Sequence, residues 1–156
     1  MKKVKKSPSK KESFTGKTIV IGVLGADPHG IANKLIEFAL NDEGFRVVNL
    51  GIMTSQQEFI EAAIEAKADA LFVSSINGHG EIDARDFREN CREMGLDNIL
   101  IYIGGNLVVG RQDWIEVETK FKTMGFDRVY PPGNTLQQGI ADLKKDLGTR
   151  AKRTQR

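Results

Sequence analysis

The chain alternates between two periodicities. Short apolar runs rich in β-branched residues give way to longer segments in which apolar side chains recur every three or four positions, as when buried strands alternate with amphipathic helices. The first run, residues 18–25 (TIVIGVLG), is almost continuously apolar, as a strand covered on both faces should be. Residues 31–41 follow, with Ile31, Leu35, Phe38 and Ala39 on one helical face and Gly44 placed to end the helix. The pattern then predicts a strand over 46–50, a helix over 56–67 opened by Thr54 or Ser55, and a strand over 70–74. A helix over 84–94 stopping at Gly95, a strand over 98–103 and a helix over 113–124 stopping at Gly125 come next. A strand over 128–130 leads into Pro131-Pro132-Gly133, and a last helix runs from Leu136 to Leu147.

These five β/α units predict an α/β protein. Parallel strands need crossovers, and right-handed crossovers place helices on both faces of the sheet. The expected architecture is a doubly wound five-stranded parallel sheet, flavodoxin-like (Rossmann-like), in the order 2-1-3-4-5. Ligands on such sheets bind beyond the carboxyl ends of the strands, at the switch point between strands one and three. The loops after strands one, three, four and five are therefore the ones to read.

Composition narrows the setting. A chain of 156 residues suits one sizeable core, and 40% hydrophobic with 28% charged residues is ordinary for a soluble globular protein. No apolar run approaches the roughly 20 residues of a membrane span, the N-terminus lacks a signal-peptide apolar region, and the lone Cys91 fits a reducing cytoplasm. The net charge of +2 conceals an asymmetry: residues 1–17 carry +6, residues 148–156 carry +4, and residues 18–147 are left at −8. The expected division is a basic disordered tail over 1–17, one domain over 18–147 and a basic C-terminal tail over 148–156. Lysine runs attract phosphates without sequence preference, but this tail reads first as solvated chain. No nucleic-acid or membrane partner is expected.

The loop after strand one, Gly25-Ala26-Asp27-Pro28-His29-Gly30, sets an acid two residues before an imidazole at the ligand-binding edge. A metal-bound histidine usually donates its other ring N–H to a carboxylate, and Asp27 is a candidate for that group. The alternative is an exposed loop histidine with Asp27 as a helix cap. After strand three, Ser74-Ser75-Ile76 brings small hydroxyl residues suited either to a ligand or to turn chemistry. After strand four, Gly104-Gly105-Asn106-Leu107-Val108-Val109-Gly110 sets an apolar stretch beside paired glycines, and such a stretch should be covered by something. Tyr130-Pro131-Pro132-Gly133 forms a rigid rim after strand five. Together these loops describe a deep, apolar slot. A phosphate-accepting receiver would need an acid where Ser74 stands, a dinucleotide site would need G-x-G-x-x-G spacing, and neither is met.

These residues resemble one known family, the small, cobalamin-binding subunits of glutamate mutase (methylaspartate mutase). The resemblance runs across residues 18–147: Asp27-Pro28-His29 followed by Asn33-Lys34, Val48-Asn49-Leu50-Gly51, Val73-Ser74-Ser75-Ile76, Gly104-Gly105-Asn106 with Val108-Val109-Gly110, and Met124-Gly125-Phe126-Asp127 through Gly133. The family signature is Asp-x-His-x-x-Gly, then Ser-x-Leu, then Gly-Gly. Here Ala32 stands for the first glycine and Ile76 for the leucine.

The resemblance implies adenosylcobalamin as cofactor, with His29 replacing the cofactor's own base as the lower cobalt ligand and Asp27 tuning it. It implies that the displaced nucleotide tail lies between the sheet and the first helix, past Ala26, Gly30, Ser74, Ser75 and Ile76, with residues 104–110, Tyr130 and Gly133 completing the site. It also implies an isomerase active only with a larger (β/α)8-barrel subunit, two copies of each. That partner would bind most of the glutamate, and no catalytic residue is expected in this subunit alone. The competing readings are a subunit of another carbon-skeleton mutase and a corrinoid carrier for methyl transfer, which would need a helical cap ahead of strand one.

Overall fold

The computed structural model describes residues 16–154 other than Pro28, Arg111 and Asn134, with side chains as far as Arg150. The expected N-terminal tail thus lies almost wholly outside the described residues. Five parallel strands, β1 (Thr18–Val23), β2 (Arg46–Asn49), β3 (Ala70–Ser74), β4 (Leu100–Gly104) and β5 (Arg128–Tyr130), form one sheet in the order β2-β1-β3-β4-β5. That is the predicted flavodoxin-like order. Its switch point lies between β1 and β3, where Val23 sits in register with Ser74.

Alternation along the strands divides the core. Ile19, Ile21, Phe72 and Tyr102 point to one face, where α1 (Ile31–Asp42) and α6 (Leu136–Thr154) cover them with Leu40, Ile140, Leu143 and Leu147. Val20, Leu71, Val73, Ile101 and Ile103 point to the other, covered by α2 (Gln56–Ala66), α4 (Phe87–Glu93) and α5 (Trp114–Thr123) through Phe59, Phe87 and Phe121. Burying each such side chain contributes roughly 1.5–3 kcal/mol. Gly22 is required in β1 because a Cβ there would come within 2.9 Å of the Phe59 ring.

Local signals set the helix ends. Ser55, not Thr54, caps α2: its hydroxyl accepts the Glu58 N–H at 3.1 Å while Glu58 accepts the Ser55 N–H, a reciprocal box that satisfies two otherwise orphaned donors. Thr54 is buried and donates instead to the carbonyls of Gly51 and Ile52.

Two elements differ from expectation. The helix predicted over 84–94 starts only at Phe87, as α4, because Asp86 ahead of it takes a left-handed conformation (φ 64°), and an unpredicted turn of helix, α3 (Gly80–Asp83), precedes it. The last helix continues to Thr154 instead of ending at Leu147. Lys and Arg are good helix formers and are favoured at a helix C-terminus, and Arg150 reaches back to the Asp69 carbonyl at 3.1 Å.

Candidate cobalamin site

The loop after β1 turns back on itself through one carboxylate. Asp27 is fully buried. Its Oδ1 accepts the His29 backbone N–H at 3.0 Å and lies 2.7 Å from His29 Nδ1, while Oδ2 accepts the N–H groups of Ile76 at 2.7 Å and Asn77 at 3.1 Å. Its carbonyl accepts the Met53 N–H at 3.1 Å. Burial alone would raise this carboxyl, but the N–H groups of His29, Ile76 and Asn77 and the imidazole hold it below its ordinary 3.8. Asp27 therefore does not cap a helix; Gly30 occupies the N-cap of α1 without a side-chain bond.

With Nδ1 engaged by Asp27, the imidazole has Nε2 left to offer. The His29 side chain is 61% exposed, so that nitrogen is open to a ligand. Exposed apolar side chains flank it: Ile31 at 82%, Met53 and Ile52. Such a collar is the kind of surface that ligands or partners cover.

Beside the collar lies a cavity of about 390 Å³ between the sheet and the helices α1 and α6. Ala32, Leu35 and Ile36 form one wall, and Phe72, Tyr102 and Tyr130 form the floor. Leu136 and Gly139 form the far wall, and the rim carries Ser74, Ile76, Gly104, Gly105, Asn106, Pro131, Pro132 and Gly133. This is the slot expected between the sheet and the first helix. Its size is that of a site for one small-molecule-sized group.

The structure distributes the expected site residues unevenly. Ser74, Ile76, Gly104, Gly105, Asn106, Tyr130 and Gly133 line the slot, and Ala26, His29 and Gly30 form the exposed edge next to it. Pro28 lies outside the described residues. Ser75 is fully buried, does not line the slot, and its Oγ has no hydrogen-bond partner. Leu107 is a core residue, 2% exposed, with its carbonyl accepting the Gly80 N–H. The apolar loop expected to need a cover is thus partly covered by the protein's own α3, and Val108 packs on the same core. Val109 stays exposed over Gly78, and Gly110 is exposed in open space.

Sequence reasoning missed Ile36, Phe72, Tyr102, Leu136 and Gly139. The signal was present at helical spacing: Ala32, Leu35 and Ile36 form one stripe directly after His29, and Leu136 and Gly139 another.

Residues 17–140 match the family model described as the B12 binding domain. The glutamate mutase sigma subunit of Carboxydothermus hydrogenoformans is 58% identical over 130 residues, covering 83% of this chain and 95% of that one. That of Clostridium cochlearium is 56% identical over 131 residues, covering 84% and 96%. The chain belongs to the glutamate mutase sigma-subunit family. A cobalamin-binding protein from Desulfitobacterium hafniense shares the fold at TM-score 0.67 and 18% identity, over 83% of this chain and 58% of the other. At that identity the likeness speaks for the fold alone.

The sigma-family residues fit a corrinoid. One imidazole is oriented by a carboxylate, its second nitrogen is left open, and an apolar slot walled by Ala32, Leu35 and Ile36 opens next to that loop. No helix among the described residues is long and apolar enough to cross a membrane.

Proposed function

We propose that this chain is the cobalamin-binding subunit of an adenosylcobalamin-dependent glutamate mutase, interconverting L-glutamate and threo-3-methyl-L-aspartate together with a larger subunit in the cytoplasm. The observation that carries the reading is the Asp27–His29 pair at the switch point, beside an apolar slot.

In this reading His29 would hold the cofactor's cobalt through Nε2, the ring nitrogen that Asp27 leaves free. Asp27 fixes the tautomer with the proton on Nδ1 and raises the basicity of the ligating nitrogen. The same carboxylate ties the β1 loop to the β3 loop, so the ligand is held on a rigid edge. The apolar slot walls would hold the cofactor's nucleotide tail and exclude water from it, with Ser74, Asn106 and Gly133 on the lining. When bound, the cofactor supplies a weak cobalt–carbon bond as a source of radicals. Substrate binding falls mainly to the larger subunit, a (β/α)8 barrel, two copies of which assemble with two of this chain over the face that carries Ile31, Ile52 and Met53.

The visible spectrum tests this directly. Mixed with adenosylcobalamin, the wild-type chain should give the spectrum of a base-off, histidine-ligated corrinoid, and His29→Gly should not. Absence of binding by the wild type, even with the larger subunit present, rejects the reading. Formation of methylaspartate on adding that subunit separates the glutamate enzyme from mutases acting on other acids.

A further inference from the structure

At the edge of the sheet opposite His29 lies a second cleft, of about 880 Å³, where β4 and β5 begin. Four elements send cations to it: Arg88 and Arg92 from α4, Lys122 from the last turn of α5, Arg128 from the start of β5, and Arg150 from α6. Three carboxylates share the lining, and two of them are already committed. Asp127 accepts from Arg88 at 2.7 Å and from the Ile101 N–H at 2.8 Å, and Asp146 accepts from Arg128 at 2.9 and 3.1 Å. Setting those pairs aside leaves Arg92, Lys122 and Arg150 against Asp97 alone. This positive excess stands on an otherwise acidic fold, since residues 18–147 net −8. The helix dipole accounts for the sign of Arg92 and Lys122, which stand in last helical turns, but not for their meeting Arg150 at one cleft. Beneath them, Arg88 is pinned by the carbonyls of Gly125 at 2.9 Å and Ile99 at 2.7 Å, so that side of the cleft is preorganised.

We propose that this cleft binds an oligophosphate, a linear anion with several adjacent charges such as inorganic tripolyphosphate or the triphosphate of a nucleotide. Cations that come from three helices are best met together by an anion with charge spread along its length. Guanidinium groups match phosphate oxygens in geometry as well as in charge. Arg92 is exposed, and Lys122 meets only Glu118 of its own helix among the ion pairs of the fold, at 3.4 Å, an exposed contact that a stronger anion displaces. The lining's one aromatic residue, Phe126, is 3% exposed, so a nucleobase finds no platform on which to stack and the phosphate chain is what is read. The site lies at the far edge from Asp27 and His29 and does not depend on how that edge is read.

Thermal unfolding of the full chain at low ionic strength, in metal-free buffer, tests this with tripolyphosphate, ATP and AMP as probes. Tripolyphosphate and ATP should raise Tm saturably and to similar extents, and the effect should fade with added salt. AMP, with a single phosphate, should require at least ~10-fold higher concentration. Arg92→Gln combined with Lys122→Gln should weaken tripolyphosphate at least ~10-fold. Should that pair fail to fold by circular dichroism, Lys122→Gln alone serves. Arg46→Gln combined with Arg85→Gln removes the same charge from exposed positions outside the cleft and should leave binding unchanged. Absence of any shift with tripolyphosphate overturns the proposal, and a shift with ATP alone overturns the oligophosphate class. Equal weakening in both double variants, or none in the first, overturns the assignment to the cleft, because the anion then reads net charge or the basic tails.

Discussion

The Asp27 carboxylate meets the His29 imidazole at 2.7 Å with one oxygen and spends the other on the backbone of the neighbouring loop, at Ile76 and Asn77. One side chain thus serves the ligand and the fold together, and the two roles separate by mutation. Asp27→Ala strands three backbone N–H groups, those of His29, Ile76 and Asn77, and loses the orienting partner. It should cost roughly 2–4 kcal/mol in stability and lower cobalamin affinity about 10- to 100-fold. His29→Gly removes a side chain that is largely exposed, and should stay within about 1 kcal/mol of wild type while losing the histidine-ligated spectrum. Urea denaturation paired with spectral titration gives both quantities. Equal stability losses in the two variants would contradict the division of roles.

Gly105 controls the approach of two loops. Its φ is +112°, and a Cβ there would lie 2.4 Å from the Ser75 carbonyl oxygen. Gly105→Ala should therefore cost about 3 kcal/mol or more and displace Ser75 and Ile76, loosening the hold on Asp27. Gly110 has φ +79° and open space around it, so Gly110→Ala should cost only ~1 kcal/mol. Thermal unfolding of the pair distinguishes a backbone clash from simple left-handed strain.

Hydrophobic period made the strands and the loops at their carboxyl ends legible beforehand, the crossover rule their order, and the family resemblance the slot against α1. What could not be read depends on contacts distant in sequence. Leu107 looked like ligand surface because nothing in its own loop covers it, whereas Gly80, 27 residues earlier, lets α3 approach its backbone, where a Cβ would come within 3.0 Å of its carbonyl oxygen. Asp86 delays the start of the predicted helix to Phe87 by its own backbone conformation, which composition does not announce. Asp27 was visible as a partner for His29, but its bonds to Ile76 and Asn77 join positions 49 and 50 residues apart.

The Tyr102–Asp146–Arg128 cluster makes stability depend on acid. Burial alone would raise the Asp146 carboxyl, but Arg128, then Tyr102, hydrogen-bond it and hold it below its ordinary value of 3.8. A carboxyl depressed on folding stabilises the protein in full above its unfolded pKa, and that contribution fades as pH falls from 3.8 through the folded value. Asp146→Asn should cost about 1–3 kcal/mol at neutral pH and progressively less in acid. Urea midpoints of the two proteins should converge as pH falls below 3.8; a constant offset would mean that charge at Asp146 is irrelevant.

Gly139 offers the sharpest test of what the slot holds. It lies within α6, where glycine costs roughly 0.5–1 kcal/mol relative to alanine through backbone entropy. A Cβ there would meet only Tyr130 ring atoms at 3.8 and 3.9 Å, ordinary van der Waals contact, so the fold tolerates a side chain. The same position lines the slot, so a longer side chain extends into the space assigned to the nucleotide tail. Gly139→Leu should therefore unfold no more easily than wild type yet bind cobalamin at least ~10-fold more weakly, the loss expected when a well-packed site is overfilled by about 1.4 kcal/mol or more. Cobinamide carries no nucleotide and should bind both proteins alike. Parallel losses for the two corrinoids would place the tail outside this slot, and unchanged binding of both would mean that the slot is not used.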